Sequence, residues 1–306
     1  MSPRQIRIGS RSSPLALWQA NWVKARLEDR YPDMKISLIP MKTLGDKIID
    51  APLAKVGGKG LFVKEIEEAL TRGDIDIAVH SMKDVPTELP EGLGIFCVTK
   101  REDPRDALIS HGCDLSDLPH NARIGAGALR RQAQLLSLRP DFRVIPIRGN
   151  VHTRIRKLED DNLDAIVLAV AGLKRLGLEG IITEYLDTER SLPAVAQGAL
   201  GIEGRLDDIE ASETVKFLNH PETSRAVCAE RAFLRQCQGG CQAPIAAHGT
   251  ITNDELRLRG FIASVDGGNF VRGEINGPLE QCESLGVSLA ERLLSQGGQS
   301  ILEEIR

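Results

Sequence analysis

Ile75-Asp76-Ile77-Ala78-Val79-His80-Ser81-Met82-Lys83-Asp84-Val85-Pro86 organises the reading of the whole chain. Ile75, Ile77 and Val79 alternate with Asp76 and Ala78, the period of a strand. The run then turns polar and closes on a proline, so it is a strand followed by an exit loop. In open α/β sheets, residues just past a strand's carboxyl end line the ligand crevice. That makes Lys83 and Asp84 candidates for chemistry.

Upstream, Phe62, Ile66, Ala69 and Leu70 share a helical face that Gly73 closes. Ala54-Lys55-Val56-Gly57-Gly58-Lys59-Gly60 precedes it and reads as a mobile glycine-rich loop. Ile6 and Ile8 form a short strand ending in Gly9-Ser10. Ser12 or Ser13 then caps a helix with Pro14 in its first turn, running to about Arg30. Lys35–Met41 alternates like a second strand. Downstream, strand-like runs at Arg123–Gly125, Arg143–Ile147 and Ala165–Val170 interleave with helix-like runs at Leu129–Leu138 and Val151–Glu159. This grammar predicts a mostly parallel sheet. After about residue 218 the texture changes. A helix over 221–237 precedes alternating runs near 245–251, 255–264 and 270–276, with turns at Asn253-Asp254 and Asp266-Gly267-Gly268. A last helical stretch, 279–305, is broken at Gly297-Gly298. This part predicts a small α+β unit with an antiparallel sheet.

The chain has 306 residues, 42% hydrophobic and 27% charged, with a net charge of −4. These values fit a soluble globular protein of two or three domains and argue against a generic nucleic-acid binder. Six cysteines are too few for a disulfide scaffold at this length, and no second pair completes a zinc spacing around Cys237 and Cys241. The N-terminus lacks an apolar signal core, and no apolar run is long enough to span a membrane. A cytoplasmic protein with reduced thiols and no metal is expected.

The cations are biased: 27 Arg against 12 Lys. Residues 121–157 hold Arg123, Arg130, Arg131, Arg139, Arg143, Arg148, Arg154, Arg156 and Lys157, with Asp141 as the sole acid. Leu129-Arg130-Arg131 and Arg148-Gly149-Asn150 fall at strand-to-helix junctions, where free N–H groups and partial positive charge suit anions. The arrangement points to a ligand with several carboxylates or phosphates. Gly57-Gly58-Lys59-Gly60 and Gly125-Ala126-Gly127 complete neither nucleotide fingerprint. Taken singly, Asp84 reads more readily as a turn-capping residue and Cys241 equally well as an incidental loop thiol.

Seven segments change that weighting. They are Ile8-Gly9-Ser10-Arg11-Ser12-Ser13-Pro14-Leu15-Ala16-Leu17, Pro52-Leu53-Ala54-Lys55-Val56-Gly57-Gly58-Lys59-Gly60-Leu61-Phe62, His80-Ser81-Met82-Lys83-Asp84-Val85-Pro86, Leu129-Arg130-Arg131-Gln132, Ile147-Arg148-Gly149-Asn150-Val151, Ala196-Gln197-Gly198-Ala199-Leu200 and Gly239-Gly240-Cys241-Gln242. In this order they resemble the hydroxymethylbilane synthase (porphobilinogen deaminase) family over nearly the whole chain. The resemblance implies head-to-tail condensation of four porphobilinogen molecules, with release of ammonia, into linear hydroxymethylbilane. It implies a dipyrromethane primer attached through a thioether to Cys241, and Asp84 as the catalytic carboxylate. Lys83, Arg130, Arg131, Ser13 and Phe62 would hold the cofactor. Arg11, Lys55, Lys59, Arg148, Arg154, Arg175 and Gln197 would hold substrate carboxylates. Many members carry hydroxyl residues where this chain has Gly125-Ala126-Gly127-Ala128, so backbone N–H groups are expected to serve there.

The same resemblance implies an α/β fold of three domains: 1–99 plus 200–217, 100–199 and 218–306. The first two would be like the lobes of type II periplasmic binding proteins, with mixed, mostly parallel sheets; the third is a small α+β unit. It further implies a monomer that hands its product to the next enzyme of the tetrapyrrole pathway. Two other readings compete. One is a two-lobed anion-binding or regulatory protein without catalysis, which leaves Asp84 and Cys241 unexplained. The other is a thiol hydrolase pairing Cys241 with His80 or His248, for which no local signature exists.

Overall fold

The computed structural model describes residues 5–43, 45, 63–238 and 243–305. The chain folds into two compact units. One holds the described residues up to Glu102 together with Gly198–Ser224; the other holds Asp103–Gln197 together with the described residues from Arg225 onward.

The first unit opens with β1 (Gln5–Arg11), α1 (Pro14–Arg30) and β2 (Lys35–Met41). Ser13 caps α1 by accepting from the Ala16 N–H, and Pro14 takes the first helical position, as its fixed φ favours. Next come α2 (Lys64–Arg72), β3 (Ile77–Ser81) and β4 (Leu93–Val98). The expected helix face of Ile66, Ala69 and Leu70 is buried, and Gly73 ends α2 in the left-handed region; Phe62 lies outside the described residues.

The chain then crosses into the second unit as β5 (Asp106–Ser110), β6 (Arg123–Ala126), α3 (Leu129–Leu138), β7 (Arg143–Pro146), α4 (Val151–Asp160), β8 (Ala165–Ala169), α5 (Val170–Arg175) and β9 (Glu184–Leu186). It returns to the first unit as β10 (Leu200–Arg205) and α6 (Ile209–Val215). At the return, Gly198 has φ +93°, and a Cβ there would fall 2.3 Å from the Glu102 carbonyl oxygen, so no other residue fits.

The two units share one sheet plan. The first sheet runs β2-β1-β3-β10-β4 and the second β7-β6-β8-β5-β9. In each, three strands pair in parallel and the fourth position is taken by an antiparallel strand. That strand is the first to enter the unit after a crossing, β10 in one and β5 in the other. Both faces of each sheet are covered. In the first, Ile6, Ile8 and Val79 pack with Val23 and Leu27 of α1, while Ile66 and Leu70 of α2 pack with Ile75 and Ala78.

Both sheets are mixed and mostly parallel in direction, as expected: four strands of each run one way, with β10 or β5 against them, and β4, β5 and β10 are the strands the sequence pattern does not announce. β5 is a short apolar run without period, and β10 spends two of its six positions on Gly201 and Gly204.

The remainder of the second unit is α7 (Pro221–Gln236), then β11 (Ile245–Thr252), β12 (Glu255–Ala263) and β13 (Phe270–Pro278), an antiparallel meander. α8 (Cys282–Leu293) and α9 (Gln299–Ile305) follow, separated at Gly297, which has φ +110°. The expected turn at Asn253-Asp254 is present, with both residues at positive φ. Ala133 of α3 packs with Ala246 of β11 and Phe261 of β12, joining this sheet to the rest of the unit.

Candidate active site

The exit from β3 is a single 3-10 turn, Met82–Asp84. Met82 anchors it: the residue is 2% exposed, its N–H donates to the Ala199 carbonyl at 3.0 Å, and its sulfur occupies the space a Cβ at Gly201 would need. Ser81 is fixed from the other side by the Gln19 amide, whose Nε2 lies 2.8 Å from its Oγ. With its neighbours held, Asp84 lines a small cavity together with Arg11, Ser13, Gln19, His80 and Ser81. The N-terminus of α1 meets this cavity at Ser13. Its first-turn N–H groups and positive dipole end add to Arg11 as an anion-binding corner. Lys83 sits beside Asp84 in the turn, half-buried.

His80, which lines the cavity, also meets a buried acid. His80 Nε2 is 2.9 Å from Glu203 Oε2, with the two side chains 3% and 0% exposed. Glu67 of α2 is also buried, and its carboxyl is pushed up to about 7, by burial first and then by the charge of Glu203, with His80 opposing.

In the second unit, Asp106 organises the Arg-Arg pair. It is fully buried at the start of β5 and accepts from Arg130 Nη1 at 2.7 Å, Arg131 Nη2 at 2.7 Å and Gln197 Nε2 at 2.9 Å. Burial would raise its carboxyl; the charges and hydrogen bonds of the two arginines outweigh that and hold it far below the usual range. Gln197 Oε1 accepts from Arg130, and its amide also donates to the Pro104 carbonyl. Gln197 is therefore a fully buried member of this network. Arg131 Nη1 donates to the Val167 carbonyl, while its buried Nε has no acceptor among the described residues.

Arg148 lies in the turn between β7 and α4, and Arg154 in the first turn of α4. Asn150 caps α4 through the Thr153 N–H, and Arg154 Nε donates to the Gly149 carbonyl at 2.8 Å. Gly127 lets this guanidinium approach: a Cβ at 127 would lie 3.0 Å from Arg154 Nη1 and 2.9 Å from the Ile147 carbonyl oxygen. The glycine in the 125–128 run thus makes room for Arg154. Arg175 closes α5, half-buried. Three other members of the basic stretch are held by acids or carbonyls of the unit. Arg139 pairs with Asp141 and donates to the Leu118 carbonyl, the Arg123 guanidinium donates to the Asp161 carbonyl while its backbone N–H donates to the Asp164 carboxylate, and Lys157 pairs with Asp161.

Cys241, Lys55, Lys59 and Phe62 lie outside the described residues. Sequence reading missed Asp106, Gln19, Glu203 and Glu230. The only signal for Asp106 was an acid opening an apolar run. Glu230, fully buried on α7, accepts from the Ala196 and Gly249 N–H groups at 2.6 and 2.8 Å and so fixes the segment before Gly198. No cluster of metal-ligating side chains occurs among the described residues, and no helix there is long and apolar enough to cross a membrane.

Two family models match the chain: "Porphobilinogen deaminase, dipyromethane cofactor binding domain" over residues 6–213, and "Porphobilinogen deaminase, C-terminal domain" over 224–295. The chain is 67% identical over 305 residues to the porphobilinogen deaminase of Pelobacter propionicus, covering 100% of this chain and 98% of that one. It is 64% identical to that of Geobacter metallireducens, covering 100% and 96%. Among solved structures it is similar to the periplasmic aliphatic sulphonate binding protein SsuA of Escherichia coli, at 16% identity and a TM-score of 0.42, covering 78% of this chain and 71% of that one. It is similar also to immunogenic lipoprotein A of Vibrio vulnificus, at 14% identity and a TM-score of 0.43, covering 72% and 98%.

Proposed function

The chain belongs to the porphobilinogen deaminase family, and on that premise we propose that it joins four porphobilinogen molecules head to tail, releases four ammonia and frees linear hydroxymethylbilane. The observation that carries the site assignment is the shared cavity of Asp84, Arg11 and Ser13 at the end of β3.

The family's cofactor is a dipyrromethane, a polycarboxylate with paired pyrrole N–H groups. The residues present suit it. Arg130 and Arg131 share the carboxylate of Asp106, and Arg131 Nε is a buried donor with no acceptor among the described residues. A cofactor carboxylate would satisfy it. Lys83 and Ser13 supply further donors, Phe62 an apolar face, and Cys241 the thioether sulfur. When bound, the dipyrromethane supplies a tethered pyrrole with an open α-carbon, which makes coupling effectively intramolecular.

Asp84 does the charge work. Loss of ammonia from porphobilinogen leaves a cationic electrophile conjugated with the pyrrole ring. A carboxylate at the pyrrole N–H stabilises that cation and can take the proton released at coupling. The 3-10 turn fixes Asp84 through Met82 and Ser81, so little reorganisation accompanies each cycle. Arg11, Arg148, Arg154 and Arg175, with Lys55 and Lys59, hold acetate and propionate groups; bidentate guanidinium pairing suits that task. The Gln197 side chain acts through Arg130, whose guanidinium it orients. We assign the third sheet with α7, α8 and α9 to a cofactor-attachment domain, and the protein to the cytoplasm as a monomer.

Intact mass under denaturing conditions, with peptide mapping of Cys241, tests this. An excess of two linked pyrrole units on Cys241 is expected. A bare chain that stays bare after addition of porphobilinogen would overturn the assignment and favour the anion-binding reading.

A further inference from the structure

α7 and α8 are packed closely in the second unit. A Cβ at Gly286 of α8 would fall 2.2 Å from the Ala229 carbonyl oxygen of α7, so the approach depends on glycine. Cys228 immediately precedes Ala229, and Cys282 opens α8 one turn before Gly286. The Cys282 thiol donates to Cys228, with the sulfurs 2.8 Å apart. Both are free thiols; Cys282 is 3% exposed, and Cys228 is partly open to solvent. A disulfide needs the sulfurs at roughly 2.05 Å, so closure moves them by less than an ångström.

We propose that Cys228 and Cys282 form a redox pair that closes to a disulfide on reaction with a small-molecule disulfide, tying α7 to α8. Cys228 reacts first because solvent reaches it. Its thiol gives a proton to water, and the thiolate attacks one sulfur of the oxidant, forming a mixed disulfide and releasing one thiol. Cys282 then gives up its proton and attacks Cys228 Sγ. The mixed S–S bond breaks, and a second small thiol leaves. Two protein thiols are oxidised and one small disulfide is reduced to two thiols.

The reaction is slow at neutral pH, because the Cys228 thiol is pushed up to about 12, by burial first, then by Cys282 and the Glu283 charge, with Arg225 opposing. The rate should therefore climb about tenfold per pH unit between about pH 8 and 10. The proposal is independent of the function assigned above.

The test treats the holoenzyme with oxidised glutathione, blocks remaining thiols with N-ethylmaleimide and maps peptides without reduction. Exposed Cys113 serves as the internal control, since it should carry glutathione and prove the oxidant active. A peptide linking Cys228 to Cys282 is expected, with Cys97 and Cys237, both buried, recovered as free thiols. In Cys282→Ser the mixed disulfide at Cys228 should persist. Recovery of Cys228 and Cys282 as alkylated thiols while Cys113 is modified would overturn the proposal. So would glutathione left on Cys228 of the unaltered protein.

Discussion

Arg131 Nη2 lies 2.7 Å from Asp106 Oδ1, with the two side chains 6% and 0% exposed. The carboxylate is what allows two adjacent guanidiniums to be buried. Asp106→Asn keeps the shape and removes the carboxylate charge that both guanidiniums share. Loss of one partner from such a network costs about 3–5 kcal/mol. Urea denaturation would measure it, and a loss under about 1 kcal/mol would sink the idea. The pH dependence has a definite sign. The folded carboxyl titrates far below an unfolded aspartate, so its contribution is complete above about pH 5 and shrinks as pH falls.

Glu67 has the opposite sign. Its folded carboxyl is raised to about 7, so between about pH 4.5 and 7 the folded state keeps a proton that the unfolded chain has lost. Stability therefore falls as pH rises through that window and levels off above it. Glu67→Gln should flatten this slope. Urea midpoints at pH 5 and pH 8 compare the two proteins; equal slopes would exclude Glu67 as the source.

Asp84→Asn should lower kcat by about 10²–10⁴-fold, with KM for porphobilinogen changed far less, since the charge matters most where the cation develops. Steady-state kinetics on protein of confirmed cofactor mass reads this directly. A variant within about threefold of the parent, against the expected loss, would remove Asp84 from the chemistry.

Gly127→Ser tests the seat of Arg154. The new Cβ would press on Arg154 Nη1 and the Ile147 carbonyl. The crowding should cost about 1–3 kcal/mol and raise KM with the urea midpoint lowered. An unchanged KM in folded protein would mean that Arg154 does not hold substrate.

Much of the local structure was legible in the sequence. Ser13 and Pro14 start α1, Gly73 ends α2, Asn253-Asp254 turns one strand back on another, and Gly297 breaks the last helical stretch. Each is a signal confined to a few residues. What escaped was non-local. β5 and β10 become strands through partners far along the chain, and their own patterns are too short or too rich in glycine to announce it. Charge reading failed similarly. The basic run at 121–157 looked almost free of acids, yet Asp106, 24 and 25 residues before the arginines it binds, and Asp161, just past the run and paired with Lys157, compensate part of it. Asp84 and the arginines were legible only as segments in a known order, while the Gln19, Met82 and Asp106 supports around them required coordinates.

The shared sheet plan also orders events at the ribosome. Strands β5 to β9 are contiguous, so the second sheet can close once residue 186 has emerged. The first sheet cannot. Among the described strands β4 pairs with β10 alone and β3 needs β10 on its open side, so the first sheet waits with a missing rung until residue 205 is made. The part of the chain synthesised first is therefore completed after the part that follows it, and a nascent chain stalled between the two crossings would hold an unfinished sheet beside a finished one.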